Sequence, residues 1–381
     1  MKRLFFLILA CVLLFQSSGM AEDDAFPTPS LLSSYPANHD AYGCYWCTPM
    51  DISDEAAVWA MLTAPMTVIN KGQKKQVELK AAPDEHSDNI GEITGTSQAV
   101  HVLETRNDGW SLVECYSSSF HGSSTEAWNA FVTGYIQTDL LKTVTPDQHY
   151  GIVVDKLTQE LYLFHEGHLM TSLVVSTGLA NERQPYNETR SGEYMLVSKV
   201  GNITSDNMIG AKAIRFNSGD LLHEVPYIKG SNGTKYYRNA EEKLGTRVSH
   251  GCIRVQRLQN RDGINQTWLW NNLPVSQSHG TKMVVWEDWR GRQIAVPDNS
   301  TPLYYNPKGG TMYHSTANCP GVRKQYLPLT AFTYGELEDA PFSELTRCSN
   351  CFPCLRKSQI EEINRIHSLS SPGMITVTAQ P

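Results

Sequence analysis

Ser249-His250-Gly251-Cys252-Ile253-Arg254 is the stretch on which the reading of this 381-residue chain turns. It sets a thiol behind a glycine, which lets backbone come close to a substrate, and two residues before a cation able to hold a carboxylate. A hydroxyl and an imidazole precede the glycine, and a second imidazole, His223, lies upstream. A thiol is a strong nucleophile only as the thiolate, and a neighbouring imidazole is the usual means of making one. Cys252 also stands far from every other cysteine, as a nucleophile requires. The pattern predicts an acyl-transfer enzyme with Cys252 as its nucleophile.

Working outward, residues 148–287 read as a β-rich domain. Gly151 to Asp155 and Glu160 to Phe164 are two strand-like runs joined by a turn at Lys156 to Gln159, and Glu166-Gly167 turns the chain again into Met170 to Ser176. This is a β-meander. Helical signal is sparse, confined to Val255 to Asn260 and Thr267 to Asn272. Before it, residues 66–145 read as short strands with a tight turn at Arg106-Asn107-Asp108-Gly109. After it, residues 301–367 make a third module, closed by a short helix with Ile360, Ile363 and Ile366 at i, i+3 spacing. Residues 22–65 are rich in Pro, Ser, Asp and Ala and read as a linker or irregular cap; residues 368–381 read as a flexible tail. The fold class expected is mainly β: a small barrel, a larger β-rich domain and a small Cys/His-containing C-terminal module.

The N-terminus gives an address. Lys2 and Arg3 precede an apolar run of 12 residues, Leu4 to Phe15, and Gly19 and Ala21 suit a cut before Glu22. This is the layout of a secretory signal peptide over residues 1–21, and the run is shorter than the roughly 20 residues of a membrane span. Contact with a membrane is expected only through this segment, were it uncleaved. The chain carries 32 Lys and Arg against 39 Asp and Glu, a formal net charge of −7. Nothing in that balance suggests a nucleic-acid surface.

Eight cysteines follow the leader. Cys44 and Cys47 form a CxxC with no βαβ pattern around it, so a local disulfide or a bridge to Cys115 is preferred to a redox pair. His314, Cys319, Cys348, Cys351 and Cys354 cluster in the last module. N/S ligands with a CxxC knuckle are a recipe for structural zinc, whereas export favours disulfides from the same cysteines; both readings stand.

Two stretches resemble known families. Val77 to Leu79 followed by Pro83, Ile90-Gly91-Glu92-Ile93, Asp108-Gly109-Trp110 and Gly134-Tyr135-Ile136 resemble the bacterial SH3-like (SH3b) family, with a Ser-rich insertion around Ser117 to Ala130. The resemblance implies either binding to cell-wall peptides or a spacer barrel. His223 with Ser249 to Arg254 resembles the L,D-transpeptidase (YkuD) catalytic domain over about 148–287. Ser176-Thr177-Gly178, Thr189 to Tyr194 and the closing run Gly280 to Val285 fit as well, with Arg190 where the family usually has proline. One departure is the gap of 25 residues between His223 and Ser249, wider than usual, with Tyr227 to Glu242 as an inserted loop.

The resemblance implies an exported enzyme of the bacterial cell wall acting on peptidoglycan stem peptides, without metal or organic cofactor. Cys252 attacks the third residue of a stem tetrapeptide, D-alanine leaves, and an amine of a second stem resolves the thioester into a 3→3 cross-link. Were water the acceptor, the enzyme would be an L,D-carboxypeptidase; were the middle domain inert, a non-catalytic wall-binding protein. His223 is the expected base. His250 is the weaker candidate and is expected to hold the loop or the substrate. Ser249 is expected to bond within the loop, and the backbone N–H groups of Gly251 and Cys252 to form an oxyanion hole. Arg254 suits a substrate carboxylate or a structural ion pair.

Overall fold

The described residues build three β-sheets. The computed structural model describes residues 51–179, 183–205, 207–286, 293–370 and 376–378. The stretch read as a signal peptide and the Cys44–Cys47 pair lie outside the described residues. Among those described, no helix is long and apolar enough to cross a membrane.

The first sheet contains β1 (Met66–Ile69), β2 (Gln76–Lys80), β3 (Asn89–Thr94), β4 (Ala99–Thr105), β5 (Trp110–His121), β6 (Ser124–Gln137) and β7 (Leu141–Val144). Its order is β6-β2-β3-β5-β4-β1-β7, and β5 pairs again with β6, so the ladder returns on itself. Ile69, Leu79, Ile93, Val100, Val113 and Val132 fill the interior with Cys115, a buried free thiol. The Ser-rich stretch around Ser117 to Ala130 is the far half of the β5–β6 hairpin, paired to its tip at His121–Ser124.

The second sheet carries the site. Its strands are β8 (Tyr150–Asp155), β9 (Glu160–His165), β10 (His168–Ser176), β11 (Gly192–Met195), β12 (Ser198–Ser205), β13 (Met208–Arg215), β14 (Leu221–Glu224), β15 (Tyr227–Lys229), β16 (Lys235–Tyr236), β17 (Ile253–Val255) and β18 (Lys282–Trp286). The order is β11-β18-β8-β9-β10-β17-β14-β13-β15-β16, with β12 on β13. Apolar residues from strands across this order, among them Ile152, Leu163, Val175, Leu222, Ile253 and Val285, share one core with Phe216. The result is a β sandwich. The β8 and β18 strands are buried on both faces, so they read as continuous apolar runs.

The third sheet is small: β19 (Pro302–Tyr305), β20 (Met312–His314), β21 (Thr330–Thr333) and β22 (Thr346–Arg347).

Three expectations change. Residues Glu55–Thr63, inside the stretch read as linker or irregular cap, form a helix, α1. Asp54 caps it by accepting from the Ala57 N–H, and Val58, Met61 and Leu62 make its buried face. The inserted loop is ordered: β15 and β16 form a hairpin on the edge of β13, followed by α2 (Arg238–Glu241). Residues Thr376–Thr378, expected to fray, form β23, paired in parallel with Phe131–Thr133; a Thr-Val-Thr run is β-branched throughout and suits a sheet edge. The remaining helices are α3 (Gln266–Asn272) and α4 (Lys357–Ser370).

The first two sheets are joined by polar contacts. His101 on β4 lies 2.9 Å from Glu193 on β11, whose other oxygen is 2.5 Å from Lys282 Nζ. Burial alone would raise the Glu193 carboxyl, but Lys282 and His101 outweigh it and hold it well below the usual range. Arg190 Nη2 reaches Glu92 at 3.0 Å and also donates to Ser118. Thr94 Oγ1 donates to Asn217 Oδ1 at 2.5 Å.

Candidate active site

The site is assembled where β17 enters the sheet between β10 and β14. The β14 and β17 strands run parallel with His223 opposite Arg254. Since alternate residues of a strand share a face, the register puts His223 and Arg254 on one side of the sheet, and Cys252 lies immediately before β17.

The turn before the strand is held by hydroxyls. Ser249 Oγ donates to the Cys252 carbonyl and accepts the Gly251 N–H at 3.2 Å. Thr189 Oγ1 donates to the Gly251 carbonyl at 2.7 Å and accepts the Gly178 N–H at 2.7 Å. Gly251 itself sits at φ +115°, a conformation that side chains resist. The Gly251 N–H is thus engaged by Ser249 in this state. To serve as an oxyanion donor it must first leave the Ser249 hydroxyl. His250 is exposed.

His223 is buried, 4% exposed. Its Nδ1 is 2.7 Å from the Glu224 carbonyl, so Nδ1 carries the proton and Nε2 is left as the basic nitrogen. Burial pushes this imidazole down to about 4, against the support of that carbonyl. Cys252 is half-buried. Burial pushes its thiol up to about 12; Asp220 raises it further, while the Leu221 N–H, Arg254 and Arg215 pull the other way. Both groups are therefore neutral at rest.

Asp220 went unnoticed in the sequence. A lone carboxylate in the Ser218-Gly219-Asp220 turn has no motif to mark it; only the fold brings it beside the nucleophile. Its own carboxyl is raised to about 6 by burial, with Arg190 and Asn217 opposing. Arg254 is half-buried and makes no salt bridge among the described residues. A buried guanidinium without a carboxylate partner is costly, and the cost is recovered if an incoming carboxylate completes the pair.

The sandwich thus sets a free thiol on a glycine turn, an imidazole on the adjacent parallel strand and a guanidinium in register with it, the side-chain types that acyl transfer uses. Residues 149–285 match the YkuD family, described as the L,D-transpeptidase catalytic domain, and that segment is such a domain. Two Bacillus subtilis proteins, YqjB and YciB, both provisionally named L,D-transpeptidases, are similar to it. They are 28% identical over 151 residues and 27% over 146. These matches cover 38% and 36% of this chain and 76% and 66% of the relatives. Among solved structures, the L,D-transpeptidase (residues 123-326) of Xylanimonas cellulosilytica is 18% identical, covering 37% of this chain and 62% of that one, with a TM-score of 0.25. An L,D-transpeptidase from Mycobacterium smegmatis is 14% identical, covering 49% and 82%, with a TM-score of 0.27. Likeness at that level adds nothing to the sequence match.

Proposed function

We propose that this protein is an exported L,D-transpeptidase that forms 3→3 cross-links between peptidoglycan stem peptides through a Cys252 thioester. The observation that carries the reading is the placement, inside the matched segment, of a half-buried thiol on a strained turn beside the strand that bears His223. The Nδ1 bond of His223 leaves Nε2 to act as base.

The chemistry then balances. As Sγ attacks the carbonyl of the third stem residue, the thiol proton moves to His223 Nε2. The tetrahedral intermediate collapses with loss of D-alanine, whose nitrogen takes that proton. The side-chain amine of a second stem attacks the thioester, gives its proton back through His223, and restores the Cys252 thiol as the new amide forms. Arg254 holds a stem carboxylate. The neutral resting pair fits this cycle, because a permanent thiolate would be exposed to oxidation between turnovers. The first barrel is read as an SH3-like module that holds the wall.

The test is incubation of purified protein with disaccharide-tetrapeptide and mass spectrometry of the products. Cross-linked dimers support the proposal; tripeptide alone makes the enzyme a carboxypeptidase. Unchanged substrate, or product from Cys252→Ala, overturns it.

A further inference from the structure

We infer that the C-terminal module holds a structural zinc ion on His314, Cys319, Cys348 and Cys351, with Cys354 excluded. The ligand atoms of these four residues lie within 4.8 Å of one another. Cys319 Sγ and Cys348 Sγ are 3.8 Å apart, and Cys351 Sγ is 3.6 Å from His314 Nδ1. A tetrahedral ion with Zn–S of about 2.3 Å and Zn–N of about 2.0–2.1 Å has S···S edges of about 3.8 Å and S···N edges of about 3.6 Å. Those two separations match, whereas a disulfide needs sulfurs about 2.05 Å apart, and all of these thiols are free.

The backbone is arranged for thiolates. The Asn350 N–H points at Cys348 Sγ at 3.4 Å, and the Ser315 N–H at Cys351 Sγ at 3.4 Å. Cys348 thus takes an N–H from two residues on, which is how a knuckle spreads ligand charge into the peptide. Cys354, which the sequence grouped with these residues, packs instead with the apolar cluster of Leu303, Tyr313 and Phe332.

An ion there ties β20, the Cys319 loop and the turn after β22 into one unit, in a module whose apolar clusters are small. It also fixes Arg347, the neighbour of Cys348. The Arg347 guanidinium lies 3.2 Å from where a Cβ on Gly245 would stand, in the loop that leads to Ser249. The site is independent of what Cys252 does.

The experiment is metal analysis of the full chain purified without chelator, with cobalt(II) exchanged for the native ion. We expect one zinc per chain. The cobalt form should show thiolate-to-metal charge transfer and the intense visible bands of a tetrahedral centre. Cys348→Ser should lose the ion and Cys354→Ser retain it. If Cys348→Ser fails to fold, the metal content of the Cys354→Ser variant and the cobalt spectrum of the unaltered chain still decide. Absence of zinc after incubation with excess zinc chloride, disulfides among Cys319, Cys348 and Cys351 by peptide mapping, or loss of zinc in a folded Cys354→Ser variant would each overturn the inference.

Discussion

The carboxylate of Asp220 occupies the space that a side chain on Gly251 would need. A Cβ built on Gly251 would stand 2.2 Å from Asp220 Oδ1. The glycine of the turn before β17 is thus required twice, once by its φ of +115° and once by its neighbour. Gly251→Ala should cost about 1–3 kcal/mol of stability from the backbone alone. Displacing the turn by about 1 Å should cut acylation of Cys252 by about 100-fold. Thermal melts and carbapenem acylation followed by intact mass check both.

Asp220 should also restrain the nucleophile. Above pH of about 6 its carboxylate is charged beside the sulfur and opposes thiolate formation. Asp220→Asn should therefore raise the rate of Cys252 alkylation by iodoacetamide at pH 8, by about 10-fold for each unit the thiol falls. The gain should shrink below pH 6, where the natural residue is already neutral. Equal rates in the two proteins at pH 8 would show that the charge is not felt at the sulfur.

His223 makes stability depend on pH. Its folded value, about 4, lies below the ordinary 6.5, so the unfolded chain takes up the proton first on acidification. The contribution is whole above 6.5 and is lost as pH falls toward 4, by at most about 3 kcal/mol. Asp220, shifted upward, works in the opposite sense between about 6 and 3.8. The comparison that isolates the histidine is urea unfolding of the unaltered chain and His223→Gln across this window. Parallel curves would contradict the assignment.

Arg190 should matter for the union of the first two sheets. It bonds to Glu92, Ser118 and the Trp128 carbonyl. Arg190→Ala leaves Glu92 partly buried without its cation and should cost roughly 2–4 kcal/mol, and lysine should not restore it, since one ammonium cannot replace a fork of donors. Denaturant midpoints for the three proteins test this.

What could be read from the chain was local. The turn residues Ser249 to Arg254, the meander of β8 to β10 and the buried run of β18 are contiguous and carry their own periodicity. The helix α1 was legible too, from Asp54 and the spacing of Val58, Met61 and Leu62, but the surrounding Pro and Ser masked it. Asp220, Arg190 and Asn217 were not legible as parts of one site, because their roles arise from contacts between distant segments: Thr94 to Asn217, Glu92 to Arg190. Among five clustered Cys and His residues, only the side-chain positions separate Cys354 from the rest.

The bond from Thr94 to Asn217 continues to Asp220, whose Oδ2 is 3.5 Å from Asn217 Nδ2. A residue of the first sheet thereby braces the acid that sits beside the Cys252 sulfur. Residues 149–285 are accordingly no portable cassette. Excised, they would lose the brace on Asn217 together with the Glu92 and His101 partners of Arg190 and Glu193. The fragment would show a differently tuned thiol, so kinetics measured on it would not describe the intact protein.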